Sequence, residues 1–502
     1  MVRKTRLWRA ALAAALGVAL AVTTPGTATA HDDEDDFALA QSVAMDGVTT
    51  LPPLAGPYPD TENMRLLGQV FAEDMGALPI PGTFDKGMLN DIWGYTSPAG
   101  EEYALVGTTA GMAVVRVTDP ENPVFLGSLE SPAPLNIGNL WGDVNVFGNY
   151  AYHTSEIAGS QIEIVDLSGV DALGPAPSPE TVLDLPNFQT DAGGYRGAHN
   201  IRINEDTGFA YVAGVHLAEG AANNACGLEE PPFFNTLIYD LNTDPTDPSV
   251  VACLPDIGEH DFYPVVYNGP DEDYQGREIL FVFDGRDREG QAAGNPVGGK
   301  TEIWDVTDKN NIQVLASFRV PELVFSHSGW TTEEQDFLFI GDEIDELVQA
   351  GWAFTEFFAQ PVDEPTNMPE TGTYIVDIRD LDNPVVVERF TDGTVGLDHN
   401  FVVKGDKLYM ASYTSGTRVL QIVRDAQGDV SLEPFAHMDT EPRLQENILN
   451  INQEENFGSA FLGQWGIFPL FDSGTIIASD LNNGLMVMEL SDTPCQGIKC
   501  SQ

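Results

Sequence analysis

A four-part phrase recurs about seven times along this chain, and it limits the possible folds more tightly than any single residue does. Its clearest copy spans Asp91 to Glu130. A hydrophobic start (Asp91-Ile-Trp-Gly94) leads to a strand-like stretch (Tyr103-Ala-Leu-Val-Gly107). An apolar run follows, Gly111-Met-Ala-Val-Val-Arg-Val-Thr-Asp119, and the copy closes with Asn122-Pro-Val-Phe-Leu-Gly-Ser-Leu129. The apolar run ending in Asp returns at Ile162–Asp166, Leu237–Asp240, Glu302–Asp305 and Tyr374–Asp377, with weaker copies at Arg418–Val423 and Gly484–Glu489. Self-similarity at this spacing means stacked supersecondary units. Four short strands per unit, with no sustained helical period, predict an all-β chain: a single seven-bladed β-propeller of four-stranded blades. Six or eight blades are the alternatives, because the last two copies are degenerate.

Closure of the ring is written at the two ends of the repeat region. The last copy, Met486-Val-Met-Glu-Leu490, lacks the outer strand that other copies supply as Pro123-Val-Phe-Leu-Gly127 or Pro384-Val-Val-Val-Glu-Arg389. A matching strand stands at the opposite end, Met64-Arg-Leu-Leu-Gly-Gln-Val70, and pairing the two would hide two sheet edges that otherwise invite aggregation. The expected organisation is a signal peptide over 1–30, an acidic and Pro-rich arm over 31–62, the propeller over 63–492 and a tail over 493–502. Long insertions at Leu217–Phe234, Gly285–Gly299, Glu343–Thr371 and Glu441–Phe457 are expected on one face, and only Ile344–Phe358 has the composition of a short helix.

The N-terminus carries Arg3, Lys4, Arg6 and Arg9, an apolar core from Ala11 to Val22, and Ala28-Thr-Ala30 as a small-residue cleavage site. The apolar run is too short to span a bilayer. Cleavage near Ala30 and release to the extracellular space or periplasm are expected, with no membrane span in the mature chain. In such a compartment cysteines pair, and proximity favours Cys226 with Cys253 and Cys495 with Cys500. The formal net charge is −54, from 77 acidic and 23 basic residues. Non-specific nucleic-acid binding requires Lys and Arg to displace counterions, so that class is excluded, and docking on anionic membranes is disfavoured. An extracellular protein or glycan is the expected partner, and the chain is expected to be a monomer.

The repeat pattern Ile/Val-Asp-(Val/Ile/Leu)-x-Asp-x-x-Asn-Pro resembles the LVIVD repeat. Tyr267-Asn-Gly-Pro-Asp-Glu-Asp-Tyr-Gln-Gly-Arg-Glu278, Gly341-Asp-Glu-Ile-Asp-Glu346 and Leu397-Asp-His-Asn400 are similar to segments of bacterial secreted proteins of the choice-of-anchor B family. The resemblance covers roughly residues 60–490. It implies an exported propeller, often bearing a C-terminal surface anchor, and no sorting tail follows Cys500 here. It carries no reaction.

Aligning the blade starts brings out a second pattern. They read Asn90-Asp91, Gly142-Asp143, His199-Asn200, His260-Asp261, His327-Ser328, His399-Asn400 and Gly463-Gln464. Four of the 8 histidines thus occupy one repeat position in four consecutive blades. Innermost strands line a propeller's channel, so His199, His260, His327 and His399, with Asp91, Asp143 and Asp261, should converge at one mouth. Such a set suits a divalent metal (Zn²⁺, Cu²⁺ or Fe²⁺ on imidazoles, Ca²⁺ on carboxylates) or general acid–base chemistry. Equally, polar residues here can brace blade against blade. If strand alternation holds, only one of the two successive positions can face the channel.

Asp342-Glu343-Ile-Asp345-Glu346 reads as a solvated acidic turn with Ca²⁺ as the alternative, and Asp166, Asp240, Asp305 and Asp377 read as turn caps. There is no G-x-S-x-G, P-loop or H-E-x-x-H motif. The composite reading is an extracellular or cell-surface binding protein whose channel ring either braces the blades or holds a metal. A metal-dependent hydrolase or oxidoreductase using the same ring is the alternative, and no catalytic residue is assigned.

Overall fold

The structure is a computed structural model. It describes residues 53–79, 86–130, 141–157, 159–218, 225–226, 235–254, 259–285, 299–320, 323–344, 370–443 and 461–491. Seven antiparallel sheets form the described chain, each built mostly from strands consecutive in sequence. Blade 1 comprises Leu89–Thr96, Glu102–Thr108, Gly111–Arg116 and Val124–Glu130. The innermost strands of blades 2 to 7 are Val144–Phe147, Asn200–Asn204, Glu259–Val266, Ser326–Thr331, Phe401–Lys404 and Gln464–Phe468. Each lies within two residues of the start that the repeat predicts. Every innermost strand touches those of both neighbouring blades, blade 7 meeting blade 1, so the ring is closed. Three short 3₁₀ turns are the only helical elements among the described residues, and none of them could cross a membrane.

Closure follows the predicted route. Met64–Val70 pairs antiparallel with Gly484–Leu490, with Met64 opposite Leu490 and Val70 opposite Leu485, and becomes the outer strand of blade 7. Gly484 opens its strand at φ +91°, and a side chain there would strike the Val70 carbonyl, so this approach of the closing strand requires glycine. One strand was not foreseen. Thr61–Glu62 pairs with His437 and Met438 and adds a fifth strand to blade 6, and Tyr58 is buried beside it.

The core lies between blades rather than in a single centre. Second and third strands are mostly buried, and their β-branched and aromatic side chains interdigitate with the next blade's. Tyr103, Leu105 and Val114 of blade 1 pack with Val144, Val146 and Val165 of blade 2. Leu89 and Val106 likewise pack with Phe468, Ile477 and Val487 of blade 7. The Asp that ends each LVIVD-like run turns the chain as expected. Asp166, Asp240, Asp305 and Asp377 each accept the backbone N–H two residues on, at 2.9–3.1 Å.

Cys226 and Cys253 form a disulfide with Cα atoms 5.4 Å apart, tying the long insertion of blade 3 to that blade's outer strand. Cys495, Cys500, the expected short helix beyond Ile344, the expected signal peptide and the acidic run lie outside the described residues, as does most of each long insertion.

Gly68 tests closure directly. A Cβ at this position would stand 2.5 Å from the Pro120 carbonyl and 2.7 Å from Pro123 of blade 1. Gly68→Val is expected to destabilise the fold by about 1–3 kcal/mol through overpacking, read as a lowered denaturation midpoint. An unchanged midpoint would remove the closing strand from the stability of the ring.

Candidate functional site

The predicted ring is assembled at the mouth of the central channel. The imidazoles of His199, His260, His327 and His399 stand side by side, with successive centroids 4.3, 4.3 and 4.2 Å apart. A fifth ring continues the arc, Trp465 at 4.3 Å from His399. In blade 7, Trp465 therefore occupies the repeat position, one or two residues beyond the predicted Gly463-Gln464. Gln464 is buried instead and accepts from the Thr417 hydroxyl at 2.6 Å.

Both successive positions border the channel. A cavity sized for a water or an ion is lined by the four histidines and also by Asp91, Asp143, Asn200 and Asn400. Strict alternation would have forbidden this. The reason is local: strand pairing slips at Asn90–Asp91 in blade 1, His260 in blade 4, His327–Ser328 in blade 5 and Trp465 in blade 7. A β-bulge inserts an unpaired residue and re-aims the side chains around it.

The two sets form different chemical layers. In the carboxylate layer, Arg202 of blade 3 supplies a buried cation. It bonds Asp143 at 3.0 Å and Asp261 at 3.3 Å, while the Asn400 amide donates to Asp91 at 2.7 Å. Each Asp also accepts the N–H of the residue after it, at 2.6–2.8 Å. Asp143 further accepts from Ile201 of blade 3 at 3.0 Å, and Ser328 donates to the His399 carbonyl of blade 6 at 2.7 Å. Blade bracing is thus performed by the second position of the pattern. Burial raises Asp91, Asp143 and Asp261 above the ordinary carboxylate range, and Arg202 opposes that rise without cancelling it.

The imidazole layer is less committed. His199 Nδ1 meets Glu156 at 2.5 Å, and His399 Nδ1 donates to the Trp465 carbonyl at 2.5 Å. Burial alone would lower His199, but Glu156 reverses it and His199 titrates above its ordinary value. His327 and His399 are driven well below theirs, first by burial and then by neighbouring imidazoles and Arg202. Both are neutral donors at physiological pH. His327 is 2 % exposed, and neither of its ring nitrogens makes a hydrogen bond.

Glu343 of the acidic turn reaches this layer, its carboxylate 3.7 Å from His327 Nε2 and accepting from the Tyr413 hydroxyl at 2.6 Å. Its neighbour Asp342 accepts backbone N–H groups of Val324 and Phe325 instead and is structural. Asp345 and Glu346 lie outside the described residues. Sequence reading missed Arg202, Glu156 and Tyr413. Only Arg202 left a signal, as the single cation within the inner strand Asn200-Ile-Arg-Ile-Asn204.

Fold and site together define a seven-bladed β-propeller with a histidine-lined channel mouth. No protein-family model and no curated protein matches the chain. Among solved structures it is similar to a functionally unknown protein from Desulfotomaculum acetoxidans DSM 771, at 11% identity over 82% of this chain and 94% of that one, with a TM-score of 0.41. A hypothetical selenium-binding protein from Sulfolobus tokodaii is similar at 10% identity over 76% and 92%, with a TM-score of 0.43. The periplasmic gluconolactonase of Pseudomonas aeruginosa is similar at 11% identity over 70% and 85%, with a TM-score of 0.41. Likeness this distant leaves function to the site.

Replacing Arg202 tests the carboxylate layer. Arg202→Met leaves buried carboxylates without their cation and is expected to cost about 3–5 kcal/mol near neutral pH. The sign with pH follows from the raised carboxyl groups. Protonation is favoured in the folded state, so their stabilisation is present below the unfolded carboxyl pKa of about 3.9 and is lost as pH rises through the folded values. The deficit of the variant, read from denaturation midpoints, should therefore shrink on acidification. A deficit independent of pH would contradict this electrostatic account.

Proposed function

We propose that the protein is an exported β-propeller of the LVIVD-repeat, choice-of-anchor B type that acts as an extracellular binding protein. Its site is a transition-metal ion held at the channel mouth by the imidazoles of His260 and His327. The observation that carries this reading is His327, a buried, neutral imidazole without a hydrogen bond on either nitrogen, set between two further imidazoles. Leaving such a group unpartnered costs about 1–3 kcal/mol, and a ligated ion is one partner that removes the cost. Neutral nitrogen donors suit Zn²⁺, Cu²⁺ or Fe²⁺. Ca²⁺ is disfavoured because Asp91, Asp143 and Asp261, the hard donors available to it, are held by Arg202 and Asn400. Export is supported by the signal-like N-terminus, by the repeat resemblance and by the Cys226–Cys253 disulfide. The acidic surface concentrates cations near the mouth, and partners on the rim would be proteins or glycans rather than nucleic acid.

Protein purified without chelator, or reloaded after chelation, should contain about one equivalent of Zn, Cu or Fe by elemental analysis. His327→Ala should weaken binding by more than the roughly 10–100-fold typical of an outer-sphere change. Sub-stoichiometric metal after reloading would return the four histidines to packing roles.

A further inference from the structure

We propose that His260, His327 and Glu343 form an open three-donor metal centre whose remaining position takes water or a small oxygen- or nitrogen-donor anion. Such a site is built for chemistry on an exchangeable ligand, not for sealing a structural ion. The inference rests on the metal-binding reading above and specifies the centre.

Three observations converge. Ligating atoms of His260, His327 and Glu343 all lie within 4.8 Å of one another, and no other such group of three occurs among the described residues. Metal bonds of about 2.0–2.2 Å set tetrahedral donors roughly 3.4 Å apart, so the three donors would have to draw closer together on binding an ion. Second, the donors come from different parts of the fold. His260 and His327 stand at bulged starts of the innermost strands of blades 4 and 5, whereas Glu343 follows the second strand of blade 5 at the rim. The carboxylate therefore reaches the imidazoles from a loop rather than from an inner strand.

Third, Glu343 is held from outside the set. The Tyr413 hydroxyl donates to its Oε1 and leaves Oε2 toward His327. Tyr413 itself is over-determined. Its backbone N–H and C=O both bond Gln464 at 2.9 Å, and its buried ring meets the edges of His399 and Trp465. Its φ of +32° lies in the left-handed region, a conformation costing a bulky residue about 1–3 kcal/mol. A phenol fixed in this way orients a ligating carboxylate as outer-sphere partners do in metal sites.

Donor count sets the chemistry. Two imidazoles and one carboxylate are three protein ligands. Structural zinc sites close with four, whereas sites with three keep a position for water or substrate. His199 and His399 are not the fourth ligand, since neither joins the group within ligating reach. The Arg202 layer lies on the same cavity and presents no free carboxylate to the ion. A divalent ion held here would lower the pKa of a bound water toward neutrality. The proton lost in that ionisation would pass to solvent, so no oxidant, reductant or further reactant would be needed.

The test uses the full chain stripped with chelator and reloaded with one equivalent of Co²⁺, whose visible spectrum reports coordination. Azide titration should shift the spectrum saturably, and a pH titration between about 6 and 9 should show one ionisation that excess azide suppresses. Glu343→Gln should change the spectrum and weaken Co²⁺ binding by about 10-fold or more. Tyr413→Phe should keep Co²⁺ bound but move the midpoint of the ionisation, an effect that loss of packing alone would not produce. Stoichiometric Co²⁺ whose spectrum ignores both azide and pH would overturn the open centre while leaving metal binding intact. An unaltered Glu343→Gln spectrum would likewise exclude Glu343 from the centre. Failure of the wild-type chain to bind Co²⁺ would instead sink the metal-binding reading itself.

Discussion

The antiparallel pairing of Met64–Val70 with Gly484–Leu490 is the contact on which the rest depends. A propeller has no central core; each blade is stable because it is packed between two others. An open ring would leave blade 1 and blade 7 each with one uncovered apolar face and would expose sheet edges. It would also leave the channel without a fixed circumference, and the side chains that meet there come from all seven blades, from Asp91 to Trp465. The positions of His199 and Trp465 relative to one another are set by closure as much as by their own strands.

Repetition made the fold legible. Seven copies of one phrase repeat the same short apolar run; four close on an Asp that accepts the N–H two residues on, and two enter the outer strand through Asn-Pro, at Asn122-Pro123 and Asn383-Pro384. Errors in one copy are corrected by the others, which is why the innermost strands begin within two residues of expectation. Where repetition stops, legibility stops. Thr61–Glu62 belongs to no copy, and nothing in those two residues announces that they extend blade 6. The register of blade 7 was misplaced toward Gly463-Gln464 because Trp465 departs from the His consensus of its neighbours, although its ring fills the same place.

The candidate site was legible in its residue types and only partly in its geometry. Repeat alignment gathers the four histidines and the acidic partners but assumes an ideal strand, in which His and Asp of one dipeptide face opposite ways. The bulges at His260, His327–Ser328 and Trp465 break that assumption and let both layers border one cavity. A bulge depends on how a strand pairs with its neighbour, so it has no composition to read. The same holds for Glu156, Glu343 and Tyr413. They lie in loops after second strands, and only the closed ring carries them to histidines of their own or adjacent blades.

The two layers are also linked through charge, and this explains why the carboxylates and imidazoles behave so differently at one mouth. Arg202 places a permanent cation among Asp91, Asp143 and Asp261 and offsets part of the rise that burial imposes on all three. After burial and the mutual effect of the imidazoles, that same cation disfavours protonation of His327 and His399. The result is a bank of neutral nitrogen donors next to a hydrogen-bonded cluster of one guanidinium and three carboxyl groups. A cation would nevertheless be repelled by Arg202 if no negative charge stood on its own side. Glu343 supplies that charge from the rim. The carboxylate that the sequence presents as one of several solvated acids thus differs from the others in position, and position gives it a distinct part in the electrostatics of the channel.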